Sequence, residues 1–597
     1  MKDRDLTPSE PVSPGLARRT VLKASVAAGA APFVLTPRKA LAQLPPVLPP
    51  SPPTTPWVEE LPLQDTPLTP LASLNPGPML GANFAGGECG RVEHQRYGEL
   101  CGSSGRSGKD AVYHQLTVRE NPSWRFNGDN PYYPPQPIWG YQGANMPDAV
   151  TPGPTIHARY GEPIVCRIYN RLPQFHTGFG SPEITTHLHN LHTPSESDGF
   201  TGDYYSAFRN GPTLTGPGAF RDHFYPNLYA GFDEFGGIGD PREALGTLWY
   251  HDHTEGVTAP NVLKGLVGRY NIFDELDSGS EQSGLRLPSG AYDYPLTFAD
   301  RRFDVNGLLT FDQLNPEGVL GDKILCNGKI EPVLKVARRK YRFRLLNGGP
   351  TRFYEIVLQN KSANAIYPFT YIANDGNLLP APLQNQTSVR FAPAERADIV
   401  IDFARFPLGT ELYLVNLLEQ TSTRRPDKSR APGTRVLKLV VDRNPPEADM
   451  SKVPALLRPL RPLPSAAELA ALPVRRFVFA RSGGMWAVNE QFFNMFEARA
   501  TPRMGSAEIW ELTNPDNGWQ HPIHIHFEEG LILSKSVDGV PVPIPAHERG
   551  RKDVFVVGEG MTIRVLMRFR DFKGKYMMHC HNLTHEDHAM MIRWDIV

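Results

Sequence analysis

His579-Cys580-His581-Asn582-Leu583-Thr584-His585-Glu586-Asp587-His588-Ala589-Met590-Met591, near the end of the chain, is the segment from which the rest can be read. On a strand running into a turn, alternate side chains share a face, so His579 and His581 point one way and Cys580 the other. One short segment can thus serve two metal sites. His585 lies five residues beyond Cys580 and Met590 ten beyond it. A chain that folds back there brings a thiolate, an imidazole and a weak thioether to one ion, the environment of a blue copper centre short of one histidine.

The missing histidine has candidates. Ten of the eighteen histidines fall in four windows: His187-Leu188-His189, His251-Asp252-His253, His521-Pro522-Ile523-His524-Ile525-His526, and His579 through His585. A lone H-x-H on a strand is weak evidence, being as compatible with ordinary exposed or core histidines. Four windows, one with a cysteine between its histidines, point to metal. Zinc takes three or four ligands, commonly with carboxylates or several thiolates, so ten imidazoles and one thiolate exceed a single zinc site. Imidazole-rich, thiolate-poor ligation beside a methionine suits copper, and more than one ion.

At 597 residues the chain exceeds one core, and about three domains of roughly 150 residues each is the expectation. With 62 basic and 63 acidic residues, nothing points to nucleic acid or an acidic lipid surface as a partner. The 59 prolines and 53 glycines, with short Val/Ile/Leu/Tyr runs between turn signals, predict an all-β chain. Five cysteines are few; with Cys580 set aside for metal, Cys89, Cys101, Cys166 and Cys326 allow three pairings, of which Cys89 with Cys101 is the first expectation.

Ala17-Arg18-Arg19-Thr20, an apolar run from Ala24 to Leu35 and Ala40-Leu41-Ala42 carry the charge, apolar core and cleavage site of a twin-arginine-type export signal over 1–42. The run is too short for a membrane span, so a periplasmic or secreted protein without a membrane anchor is expected. Residues 43–111 read as a Pro/Gly-rich linker and surface segment, extended or disordered from Leu44 to Pro78. Domain one is expected over 112–285 and domain two, without histidine and so not itself a ligand source, over 286–443. A connection with a short helix at Ser465–Leu472 occupies 444–473, and domain three 474–597. Glu162–Asn170, Tyr341–Asn347 and Ala397–Phe403 are strong strand predictions.

With these motifs in place, the sequence resembles the multicopper oxidases over nearly all of the chain after Pro152, most nearly the branch of bacterial spore-coat laccase, bilirubin oxidase and phenoxazinone synthase. Further resemblance is carried by Trp249-Tyr250-His251-Asp252-His253, Gly265-Leu266-Val267-Gly268, Asn327-Gly328-Lys329 with Arg338–Arg344, and Ala392-Pro393-Ala394-Glu395-Arg396. The resemblance implies three cupredoxin-like Greek-key β-barrel domains and four copper ions. It implies a type 1 copper on His521, Cys580 and His585 with Met590 axial. The type 2 copper falls to His187 and His524, and the type 3 pair to His189, His251, His253, His526, His579 and His581. It also implies that the edge of His585 faces the electron donor.

The implied activity is laccase-like: one-electron oxidation of a small aromatic donor, a phenol or aromatic amine, coupled to reduction of dioxygen to water by a monomer. Oxygen reduction consumes protons, so Glu586 and Asp198 are candidate acids, with a solvated residue and a turn-former as their plainer readings. A metal oxidase acting on Cu(I) or Mn(II) is the alternative, disfavoured because the 13 methionines are scattered. A non-catalytic copper-binding scaffold would have lost ligands, and none is missing. The remaining histidines, His94, His114, His157, His176, His192, His223, His547 and His588, read as ordinary exposed residues.

Overall fold

Strand alternation and turn chemistry lead to sheets throughout. A computed structural model describes residues 49–62, 68–82, 85–516 and 518–597, so the segment expected to be an export signal lies outside the described residues. The three predicted strands form as Ile164–Asn170, Lys340–Asn347 and Arg396–Asp402, and the predicted helix as Ala466–Ala471, started by a capping box between Ser465 and Glu468.

Three pairs of sheets follow one another along the chain. In the first, Val112–Trp124 pairs with Gln136–Gly143 and, in parallel, with Ile164–Asn170, while a second sheet holds Thr186–His189, Thr247–Asp252, Val267–Phe273 and Ile156–Arg159. In the second, an eight-stranded sheet centred on Lys340–Asn347 faces a six-stranded sheet. In the third, a seven-stranded sheet faces four strands, Val554–Val557, His521–Ile525, Gly574–Cys580 and Met591–Ile596. The chain is all-β with three cupredoxin-like barrels. Their cores centre on Trp139, Tyr141 and Leu188, on Phe343, Leu345 and Ile399, and on Trp510, Phe569 and Trp594.

Two expectations are corrected. Where it is described, the segment read as an extended or disordered linker is clamped: Ser51 N–H donates to Asp322 (2.7 Å), Leu61 N–H to the Val333 carbonyl (2.7 Å), and Leu61 is buried in the middle core. The expected Cys89–Cys101 bond is absent, and all five cysteines are free and buried. Cys89 packs in the first core and Cys101 in the core of the third, apolar settings in which each is a small hydrophobe. Among the described residues no helix is long and apolar enough to cross a membrane.

Candidate metal centre

Strand register builds the site. In the first barrel His187 lies opposite His251 on antiparallel strands; in the third, His524 lies opposite His579 and Ile523 opposite Cys580. The two H-x-H pairs meet ring on ring across the barrel interface, His187 over His526 (3.8 Å between centroids) and His189 over His524 (3.7 Å).

The predicted ligands converge in two places. The Nε2 atoms of His253, His526 and His579 stand 3.1–3.3 Å apart, and those of His187 and His524 3.4 Å apart. The rings of His189, His251 and His581 are 5.3–5.9 Å apart. Imidazoles bonded at about 2 Å to one ion place their nitrogens about 3.3 Å apart, so these separations fit shared ions. In the second place Cys580 Sγ is 3.6 Å from Nδ1 of both His521 and His585, which are 3.2 Å from each other. Cys580 N–H donates to the Met590 carbonyl (3.1 Å) and Met590 N–H to that of His585 (2.9 Å), folding Met590 back beside them. Met590 shares a core cluster with Cys580, whereas Met591 packs with Phe200, Met495 and Met577.

All eleven His and Cys ligand candidates are buried. Burial, reinforced by neighbouring imidazoles, holds His187, His189, His524, His526, His581 and His585 well below the ordinary histidine range. His251 and His521 come down to about 3 and His253 to about 4. Neutral imidazoles with free lone pairs result. His251 Nε2 and both nitrogens of His581 have no hydrogen-bond partner among the described residues, a cost that a bound cation removes. Burial pushes the Cys580 thiol up, so a cation is what would hold it as thiolate.

Both candidate acids sit against the ligands. Asp198 Oδ2 accepts from His526 Nδ1 (2.7 Å), and the Asp198 carbonyl accepts from His187 Nδ1. Glu586 lies 2.8 Å from His579 Nδ1 and 3.3 Å from His253 Nδ1. Holding Nδ1 leaves Nε2 for an ion. Burial raises the Asp198 carboxyl far above its usual range. At Glu586 burial acts the same way, but the facing His579 and His253 outweigh it and bring the group down to about 2.

Sequence reasoning missed three supports. Asp553 Oδ2 is 2.8 Å from His189 Nε2, and the Asp553 carbonyl accepts from His524 Nδ1 (3.0 Å). Asp553 is held by Arg396 of the middle barrel (2.8 Å), so the histidine-free barrel braces the site; the motif ending at Arg396 was the available signal. The third is the carbonyl of Glu317, which accepts from His585 Nε2 (3.1 Å). Of the histidines read as exposed, His94, His114, His192 and His223 are buried. His192 pairs with Asp571 at 2.8 Å.

A family model for multicopper oxidases matches residues 472–597. The chain is 33% identical over 450 residues to a bilirubin oxidase of Albifimbria verrucaria, covering 74% of this chain and 71% of that protein. It is 31% identical over 534 residues to a laccase of Bacillus subtilis (strain 168), covering 82% and 95%. Among solved structures, the McoA multicopper oxidase of Aquifex aeolicus superposes with a TM-score of 0.65 at 24% identity, covering 81% and 96%. A laccase of Pediococcus acidilactici gives 0.63 at 23%, covering 91% and 96%. With that identity extending over most of two proteins and the imidazole and thiolate donors brought together as copper requires, the chain belongs to the multicopper oxidase family and is a copper-dependent oxidoreductase with dioxygen as acceptor.

Proposed function

We propose that the chain is a laccase-like oxidase whose electron donors are phenols or aromatic amines. Four phenols each give up one electron and one proton, and one dioxygen takes the four electrons and four protons into two waters. His521, Cys580, His585 and Met590 would hold a type 1 copper; His187 and His524 a type 2 copper; His189, His251, His253, His526, His579 and His581 a type 3 pair, four ions in all. Bound there, copper supplies the one-electron redox chemistry and the affinity for dioxygen. Asp198 and Glu586 fix the ligand rings and hold protons at His526 Nδ1 and His579 Nδ1, beside the place where oxygen is reduced. The Arg18-Arg19 signal would deliver the protein, as a monomer, to the periplasm or outside the cell.

One observation carries this reading. A single strand, Gly574–Cys580, places Cys580 in one ligand triangle and the adjacent His579 in the other, which gives electrons a covalent path between a collecting site and an oxygen site. Copper-loaded wild type is expected to be intensely blue and to take up oxygen with a phenolic donor, and Cys580→Ser to lose both. Retention of the blue band in that variant would overturn the assignment.

A further inference from the structure

The expected exposure of His585 to the donor is not what the fold provides. His585 is fully buried. With Nδ1 turned to Cys580, its proton is on Nε2, which donates to the Glu317 carbonyl of a middle-barrel loop. Trp486 packs on the ring at 4.0 Å between centroids, and Trp519 lies 5.3 Å away. The cover is built in: Trp486 Nε1–H donates to the Pro316 carbonyl (2.6 Å), tying the third barrel to the loop.

Trp486 and Trp519 are themselves buried, and what faces solvent above them is two arginines and a carboxylate. Arg481 is the cross-strand partner of Trp486, and its guanidinium lies 4.4 Å over that indole and 5.3 Å from Trp519. Arg424 also approaches Trp519, at 5.2 Å. One carboxylate, Glu317, serves both, at 3.0 Å from Arg481 and 4.0 Å from Arg424. The two arginine side chains are 32% and 52% exposed, and each guanidinium carries more N–H groups than its contact with Glu317 uses. A guanidinium over an indole presents a planar fork that matches a carboxylate or phenolate, and with two guanidiniums to one carboxylate the patch is net positive, which favours an anion over a metal cation.

We propose that donors dock on Arg481 and Arg424, one indole away from His585 rather than against it, and that the docking surface selects small anionic aromatic donors. The proposal rests on the reading of His585 as a type 1 ligand and narrows its substrate class. Its chemistry is the oxidation already given, with the donor a phenol bearing a carboxylate; a donor entering as phenolate gives up the electron alone, having left its proton in the solvent, and the four protons that make two waters are then drawn from solvent.

The test uses the copper-loaded full-length protein with Arg481→Glu and, separately, Arg424→Glu. The first readout is independent of turnover: calorimetric binding of 2-naphthalenesulfonate, an aromatic anion used as a non-donor probe. Its Kd is expected to weaken about tenfold in Arg481→Glu, the loss of one charge-assisted contact. The blue band and the type 1 potential should stay as in wild type. The kcat/KM for a carboxylated phenol should fall by a similar factor, and that for an uncharged phenol by less than half as much. Unchanged probe affinity in both variants, or equal losses for charged and uncharged phenols, overturns the docking surface while leaving the oxidase reading standing. Wild type that lacks a blue band and oxidises no phenol fails the underlying reading instead.

Discussion

Which nitrogen of each imidazole is free decides whether ten histidines make a copper site or a crowd of buried bases. In this chain the matter is settled by single oxygen atoms: Asp198 at His526, Glu586 at His579 and His253, the Asp553 carbonyl at His524. Glu586→Gln retains the shape but removes a charge and a proton carrier. The expected result is full copper content and an unchanged blue band, with oxygen uptake down by about 10–100-fold and an altered pH profile of kcat. A role in holding the ring alone would show as copper loss with an unaltered profile, so metal analysis and the profile together separate the two. Glu586 and Asp198 could be singled out in the sequence because each lies close to a histidine window. Asp553 could not, since its neighbours Lys552 and Val554 carry no metal-binding pattern; strand pairing sets it beside His524, and only the meeting of the first and third barrels brings it to His189.

At the scale of elements, the short turn Ser195–Ser197 returns the chain so that Asp198 reaches the strand Thr186–His189. Gly199 makes that approach possible. Its φ is +85°, and a Cβ there would stand 2.6 Å from the His187 Cα, against backbone that cannot yield. Gly199→Ala is expected to destabilise the protein by about 1–3 kcal/mol and, by pushing the Asp198 turn off His187, to lower copper occupancy. Unfolding by denaturant measures the first and metal analysis the second; normal occupancy would show that the turn does not position the ligand. The elements themselves were largely legible, since alternation and capping are local. The fate of Cys89 and Cys101 was not, because two cysteines near each other in sequence enter different cores.

For the molecule as a whole, the question is what holds the first and third barrels together so that their histidines meet. Part of the answer is a buried ion network away from the metal. Glu243 of the first barrel binds Arg570 (2.6 Å), which also binds Glu528 (2.6 Å), with Arg551 and Arg568 close by. Burial alone would raise the Glu243 carboxyl, but Arg570 and Arg551 outweigh it and bring it from the ordinary 4.5 to about 2. A depressed carboxyl contributes stability above its unfolded pKa and loses it as pH falls through the folded one. Glu243→Gln should therefore cost about 3 kcal/mol at pH 7, read from the urea midpoint. The gap to wild type should narrow as pH drops from about 4.5 towards 2. A gap independent of pH would assign the loss to packing rather than charge.

The sequence by itself determined the all-β class, the number of barrels, the full set of ligand candidates and the two carboxylates beside them. The all-β class and the ligand candidates follow from periodicity and donor chemistry, which are properties of residues and their near neighbours; the three barrels are what the resemblance implies. Only the tertiary structure decided which histidine rings stand together, that the middle barrel braces the site through Arg396 and Asp553, and that His585 lies beneath Glu317 and Trp486. Those depend on register and on contacts between barrels, where residues hundreds of positions apart meet. The segment from His579 to Met590 announced the chemistry, and its surroundings determine how a donor can approach it.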